Sequence, residues 1–201
     1  MESLEYKMHE LEVKLIDSMG SDDSPAFSAW VSTARDRDRS EEDISSLIER
    51  LSRDGHLGCF EHQAATFEIH CPIFVARQIQ RHRTFSYNEL SGRYKDFREQ
   101  PVYLPKDMEE SGVARDAVQS AITSYAKLRE LGYSRENARI ILPLGTMTRF
   151  RMTGNLRNWS HFLSLRMSEH AQDETRLMAE LIYNRLQSLW PVIVSNLRKN
   201  W

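Results

Sequence analysis

Residues Arg81 to Arg93 read RHRTFSYNELSGR. Three consecutive basic side chains, Arg81, His82 and Arg83, are followed by Ser86, Asn88, Glu89, Ser91, Gly92 and Arg93. Arginine presents a flat fork of donors that matches phosphate or carboxylate, and it keeps its charge near neutrality. Gly92 lets the backbone come close to a ligand. Glu89 can orient an arginine or accept from a ligand N–H. Composition alone would suit a solvated surface or a nucleic-acid patch, but such a patch spreads Lys and Arg over one face. Here the charges come first and a polar Asn-Glu-Leu-Ser-Gly segment follows, which is the pattern of a pocket wall.

Arg81-His82-Arg83, then seven residues, then Ser91, within the run Asn88-Glu89-Leu90-Ser91-Gly92-Arg93-Tyr94, resembles the signature of the flavin-dependent thymidylate synthases. The likeness extends from about His56 to His170. It implies an α+β fold: a single domain over residues 1–201, with a small mixed or antiparallel sheet and long helices. It also implies an active site at the subunit interfaces of a homotetramer.

The bulk properties agree with one compact domain. The chain has 201 residues, of which 40% are hydrophobic, enough for a core. A formal charge of −2 gives no global pull toward nucleic acid or an anionic membrane. Basicity is local: Arg77 to Arg98 holds six Lys/Arg against two acids, Glu89 and Asp96. Two cysteines, Cys59 and Cys71, make no disulfide framework and fit a reducing cytosol, so a cytoplasmic location is expected. The stretch MESLEYKMHELEVKL lacks the basic and apolar regions of a signal peptide, and no apolar run is long enough to span a bilayer.

Along the chain, Leu11, Val13 and Leu15 alternate with charge and predict a strand. Pro25 to Arg35 reads as a helix, and Arg35 to Arg39 as a charged connection. Ser40 and Asp43 form a capping pair before the stripe Ile44, Leu47, Ile48 and Leu51, with a stop near Gly55. His56 to His62 is a loop that Gly58 should loosen; its histidines and Glu61 match no zinc spacing, so no metal is expected. Ala64 to Cys71 alternates as a strand. Pro72 opens a helix, PIFVARQIQRHR, running directly into the signature. Pro101 to Pro105 is extended, Val113 to Leu131 helical with Gly132 as its stop, and Ser134 caps a further helix. Thr146 to Thr153 predicts a strand. A last helical region places Leu156, Trp159, Leu163 and Met167 on its core face, and Leu177, Leu181, Leu186 and Leu189 continue an apolar face to Trp190-Pro191. Arg157 with His161, and Arg166 with His170, are each four apart. At about 100° per residue the two pairs fall on opposed faces, which points either to a broken helix or to sites on different subunits.

The resemblance carries a chemistry. It implies reductive methylation of dUMP to dTMP, with FAD as hydride carrier, methylenetetrahydrofolate as carbon donor and NADPH as reductant. A cofactor is required because no side chain stores a hydride, and the chain has no G-x-G-x-x-G fingerprint. The likeness assigns Arg81, His82, Arg83, Glu89, Asn155, Leu156, Arg157 and His161 to the flavin. It assigns Gln78, Ile79, Gln80, Arg81 and the run Glu89, Leu90, Ser91, Gly92, Arg93 to dUMP, joined by Arg139 at the phosphate. Arg166 is the catalytic residue, a cation that favours loss of the uracil N3 proton. His56, Tyr94 and His170 are candidates for the folate or flavin side. Gly58-Cys59 stands where Ser/Thr-Pro is usual in that family. Cys59 is a candidate ring nucleophile and Cys71 reads as buried and inert; Ser91 reads as a positioning group. Two other readings stay open on these residues. One is a nucleotide- or phosphate-binding regulator; the other is an RNA-binding module using Phe85, Tyr87 and Tyr94. Neither nucleic acid nor membrane is the expected partner.

Overall fold

Four strands form one antiparallel sheet in the order β1-β2-β4-β3 in a computed structural model that describes residues 11–33 and 39–201. They are β1 (Glu12–Met19), β2 (Ala64–Pro72), β3 (Ser86–Glu89) and β4 (Met147–Asn155). With its helices the chain is α+β, as expected. Alternation explains β2, where Ala65, Phe67, Ile69 and Cys71 are buried, and β4, where Phe150 and Met152 are buried between exposed arginines. The helices are α1 (Ser24–Val31), α2 (Glu41–Arg53), α3 (Ile73–Ile79), α4 (Gly112–Glu130), α5 (Arg135–Ala138), α6 (Leu156–Arg166), α7 (Asp173–Leu189) and α8 (Pro191–Arg198).

The described residues fall into two compact units. One holds Leu11, His70–Arg81 and Asn88–Phe150; the other holds Glu12–Ile69, His82–Tyr87 and Arg151–Trp201. In the first unit, α4 lays Val118 and Ile122 on Val102 and Leu104. One turn on, Tyr125 meets Phe97 and Ala138. The Tyr125 hydroxyl accepts from the Phe97 N–H at 3.0 Å, so α4 pins the chain just after the signature. Asp96 reinforces that pin. Burial opposes its charge, but the Arg98 N–H and guanidinium, then Arg129, donate to it and hold its carboxyl below the usual range.

In the second unit the core is aromatic. Trp159 on α6 is fully buried, with ring centroids 4.6 Å from Phe85 and 5.1 Å from Phe67, both edge-on. Each such pair contributes about 0.5–1.5 kcal/mol beyond its buried area. Phe85 lies so close to Gly154 that a Cβ there would sit 2.3 Å from its ring. Asn155 caps α6 by accepting from the Asn158 N–H at 2.9 Å. Ser40 and Asp43 close a full capping box on α2, so aspartate serves where glutamate is commoner.

Several expectations need correction. α1 ends at Val31, short of Arg35, and residues 34–38 lie outside the described residues. The loop expected to be loose is a 3-10 helix, Leu57–His62, anchored by the wholly buried Phe60. α3 does not run into the signature; it stops at Ile79, with Gln80 as its cap, because the following residues turn to bury His82 and pair β3. The signature's own Ser86–Glu89 is a strand, which its polar composition hid. Of the two readings offered for the opposed pairs, the broken helix holds: α6 ends at Arg166 and His170 lies beyond it. The core face of α7 is Thr175, Met178, Ile182 and Leu186, while Leu177 is 48% exposed. Helix α8 follows Trp190 where no element was read.

Candidate active site

In the first unit, the signature run Glu89, Leu90, Ser91 and Gly92 lines a cavity of about 330 Å³ together with Arg139, Phe97 and Thr148. β3 brings the run there: the Leu90 N–H donates to Arg149 O at 2.8 Å, holding it against β4. The Glu89 carboxylate is fixed from two sides. Thr148 Oγ1 donates to it at 2.7 Å and Gln80 Nε2 at 2.9 Å. Gly92 has an ordinary φ; its role is close approach. A Cβ there would meet Arg139 Cδ at 2.8 Å, so only glycine lets the arginine lie along the backbone at this point. A guanidinium, a backbone turn and an oriented carboxylate form a donor-and-acceptor set for a phosphorylated heterocycle. Phe97 and Thr148 are members that sequence reading missed; Thr148 is a buried polar residue in an otherwise alternating strand.

The second unit contains a larger cavity of about 650 Å³. It is lined by Asn155, Arg157, Asn158 and His161 from α6 and its cap, Glu61 from the 3-10 helix, Thr84 after the basic triplet, and Trp201. Arg157 Nη1 donates to Glu61 Oε1 at 2.5 Å, and Asn158 Nδ2 to Thr84 O at 2.9 Å. Three expected flavin residues, Asn155, Arg157 and His161, thus meet in one cavity. Asn158, Glu61 and Trp201 join them unforeseen.

Next to these residues, His82 is a built acceptor. Arg166 Nε donates to its Nε2 at 2.9 Å. Its ring lies edge-on to Phe162 at 4.9 Å and to His161 at 6.0 Å. Burial first, then the Arg166 and His161 charges, lower its pKa to about 4. The imidazole is therefore neutral near pH 7, and the contact assigns its proton to Nδ1. His161 and Arg166 both converge on His82, so the opposed faces expected for α6 do not separate them.

Other expected residues stand apart. Arg93 pairs with Glu136 at 2.8 Å. Arg81, Arg83 and His170 are exposed, as are His56 and Tyr94, the latter by 80%. The Ile79 and Leu156 side chains are buried, which leaves only their backbone for a ligand. Gln78 is half-buried. Burial pushes up both Cys59 and, much further, Cys71, and in each it outweighs a backbone N–H that favours the thiolate. The RNA-binding reading keeps only Tyr94 of its three aromatics on the surface. Phe85 is buried, and Tyr87 is half-buried with its hydroxyl donating to His82 O at 2.8 Å.

The sequence profile of the family described as thymidylate synthase complementing protein matches residues 14–192. The chain belongs to the flavin-dependent thymidylate synthase family. A flavin-dependent thymidylate synthase of Pseudothermotoga lettingae is 40% identical over 192 residues, covering 89% of this chain and 86% of that one. The Thermus thermophilus enzyme of the same name is 36% identical, over 92% of this chain and 76% of its own. Among solved structures, the UMP/dUMP methylase PolB from Streptomyces cacaoi, bound with 5-Br dUMP, is similar with a TM-score of 0.88 at 30% identity, covering 96% of each chain. In this chain Glu89 to Gly92 of the signature line one cavity, and Arg157 and Arg166 both lie on α6.

Proposed function

We propose that this chain is a flavin-dependent thymidylate synthase that converts dUMP to dTMP. The observation that carries the reading is the first-unit cavity, where Glu89 to Gly92 of the signature and Arg139 line one wall set. In it, Arg139 and the backbone at Gly92 grip the phosphate, and Glu89 accepts from a ring or sugar donor. Gln80 and Thr148 keep the Glu89 carboxylate aimed.

The second-unit cavity fits a flavin dinucleotide by its donors. Arg157, the amides of Asn155 and Asn158, and the hydroxyl of Ser164 suit a pyrophosphate and sugar, and the volume is about 650 Å³. FAD supplies the hydride when bound, with NADPH as the reductant and methylenetetrahydrofolate as the carbon source. Arg166 is the catalytic residue: a fixed cation beside the uracil favours loss of its N3 proton and stabilises the negative charge that follows. Neutral His82 holds that guanidinium without competing for charge. The chain acts as a single functional domain in a homotetramer whose active sites lie at subunit interfaces, and it works in the cytoplasm. Among the described residues no helix is long and apolar enough to cross a membrane.

The test is product analysis with the purified chain. dTMP should form from dUMP only when FAD, NADPH and methylenetetrahydrofolate are all present. Tight dUMP binding with no flavin uptake and no product would instead make the chain a nucleotide-binding regulator.

A further inference from the structure

Trp201 lines the second-unit cavity beside Asn200. Neither residue belongs to the signature, and both lie beyond the stretch 14–192 that the family profile matches. The indole is fixed on two sides. Its Nε1 donates at 2.9 Å to Ser160 Oγ, on a buried residue of α6. Its ring is edge-on to Tyr183 of α7, with centroids 5.9 Å apart, and the Arg198 guanidinium lies 4.6 Å over that tyrosine ring. Asn200 is tied as firmly, donating to Ser52 Oγ at 2.9 Å and to Asn196 O at 3.1 Å. The segment is therefore built into the cavity wall.

Trp201 also differs from the other tryptophans. Trp30, Trp159 and Trp190 are 6%, 0% and 1% exposed, whereas Trp201 is half-buried. A large aromatic side chain left half-open at a cavity has apolar surface still to cover. Flat heterocycles cover such surface well, because any aromatic base has a π-face to stack.

We propose that Trp201 is a cofactor-binding residue whose indole stacks on a flat ring of the flavin dinucleotide. The proposal rests on reading this cavity as the flavin site. Ser160 is then the positioning residue that sets the indole's tilt.

Calorimetric titration of the flavin-free full chain with FAD, FMN and ADP tests it. Trp201→Ala should bind FAD about 10- to 100-fold more weakly, Trp201→Phe should keep most of the affinity, and Ser160→Ala should fall between them. A loss shared by ADP and not FMN identifies the adenine as the stacked ring; a loss shared by FMN and not ADP identifies the isoalloxazine. Wild-type FAD affinity in folded Trp201→Ala would overturn the proposal while leaving the flavin site intact. No FAD binding by the wild-type chain would overturn the site reading itself, and the proposal with it. Should Trp201→Ala not fold, acrylamide quenching of tryptophan emission decides. FAD should shield the accessible emission of the wild-type chain, and Trp201→Phe should lack that accessible component. Quenching of the wild type that FAD leaves unchanged would overturn the proposal.

Discussion

The Nε–H of Arg166 points at Nε2 of His82, 2.9 Å away, so a neutral imidazole fixes this edge of the guanidinium. This choice of partner matters for the chemistry. A neutral imidazole fixes the orientation of the guanidinium and adds no negative charge of its own.

The burial of His82 sets a pH dependence. The His82 pKa is lowered from 6.5 to about 4, by burial first and then by Arg166 and His161. Between those values the unfolded chain takes up a proton here and the folded chain does not. Stability from this group is thus fully present above about 6.5, and it is lost as the pH falls toward about 4. Thermal melts across this range should show a shallower acid decline for His82→Gln than for the wild type. Parallel curves would mean that His82 titrates normally and is not shielded from water in the folded chain.

Arg166→Ala should fold, bind FAD and turn over about 10²–10³ times more slowly, the usual cost of one transition-state donor. Arg166→Lys should rescue poorly, because an ammonium lacks the planar fork. Reduction of the bound flavin by NADPH should be spared, since that step needs no ionised uracil. Stopped-flow measurement of the two half-reactions checks this. Equal damage to both, or normal turnover, would remove Arg166 from the catalytic role.

Gly92→Ala should leave the fold and FAD binding intact and weaken dUMP. The new methyl would meet Arg139 Cδ at 2.8 Å, and a flexible side chain yields before backbone does. The displaced Arg139 then loses its line to the phosphate. Titration with dUMP and with deoxyuridine separates the effects: the variant should lose affinity for the nucleotide and little for the nucleoside. An equal loss for both would mean that the methyl blocks the ring instead.

Cys59→Ser and Cys71→Ser should each keep substantial activity in folded protein, because both thiols are pushed away from the reactive thiolate. Assays of dTMP formation check this. Abolished turnover in Cys59→Ser, with FAD and dUMP still bound, would restore a cysteine nucleophile.

Much of this fold was legible because burial leaves a period. The alternation at Ala64–Cys71 and Thr146–Thr153, the Ser40 cap and the Gly132 stop each record a local physical demand. β3 was not legible, since Ser86, Asn88 and Glu89 are polar and lack a strand's usual β-branched and aromatic composition. The face of α7 was misread for a related reason. Leucine was taken as the marker of burial, yet Met178 and Ile182 are buried while Leu177 is exposed. Within the site, Glu89, Gly92, Arg139, Arg157 and His161 were named from the signature and its neighbours. Thr148, Glu61 and Trp201 were not, because each reaches its cavity only through tertiary contact. The Arg166–His82 contact, 84 residues apart in sequence, is of the same kind.

The most direct test of the account is a single turnover under anaerobic conditions. The FAD-loaded chain is reduced with NADPH, freed of excess reductant and mixed with dUMP and methylenetetrahydrofolate. Flavin absorbance and dTMP are then followed together. The account predicts that the flavin reoxidises with one dTMP formed per flavin, and that no dTMP appears when the folate is omitted. A flavin that stays reduced while dUMP is recovered unchanged, or dTMP formed by the flavin-free chain, would contradict it.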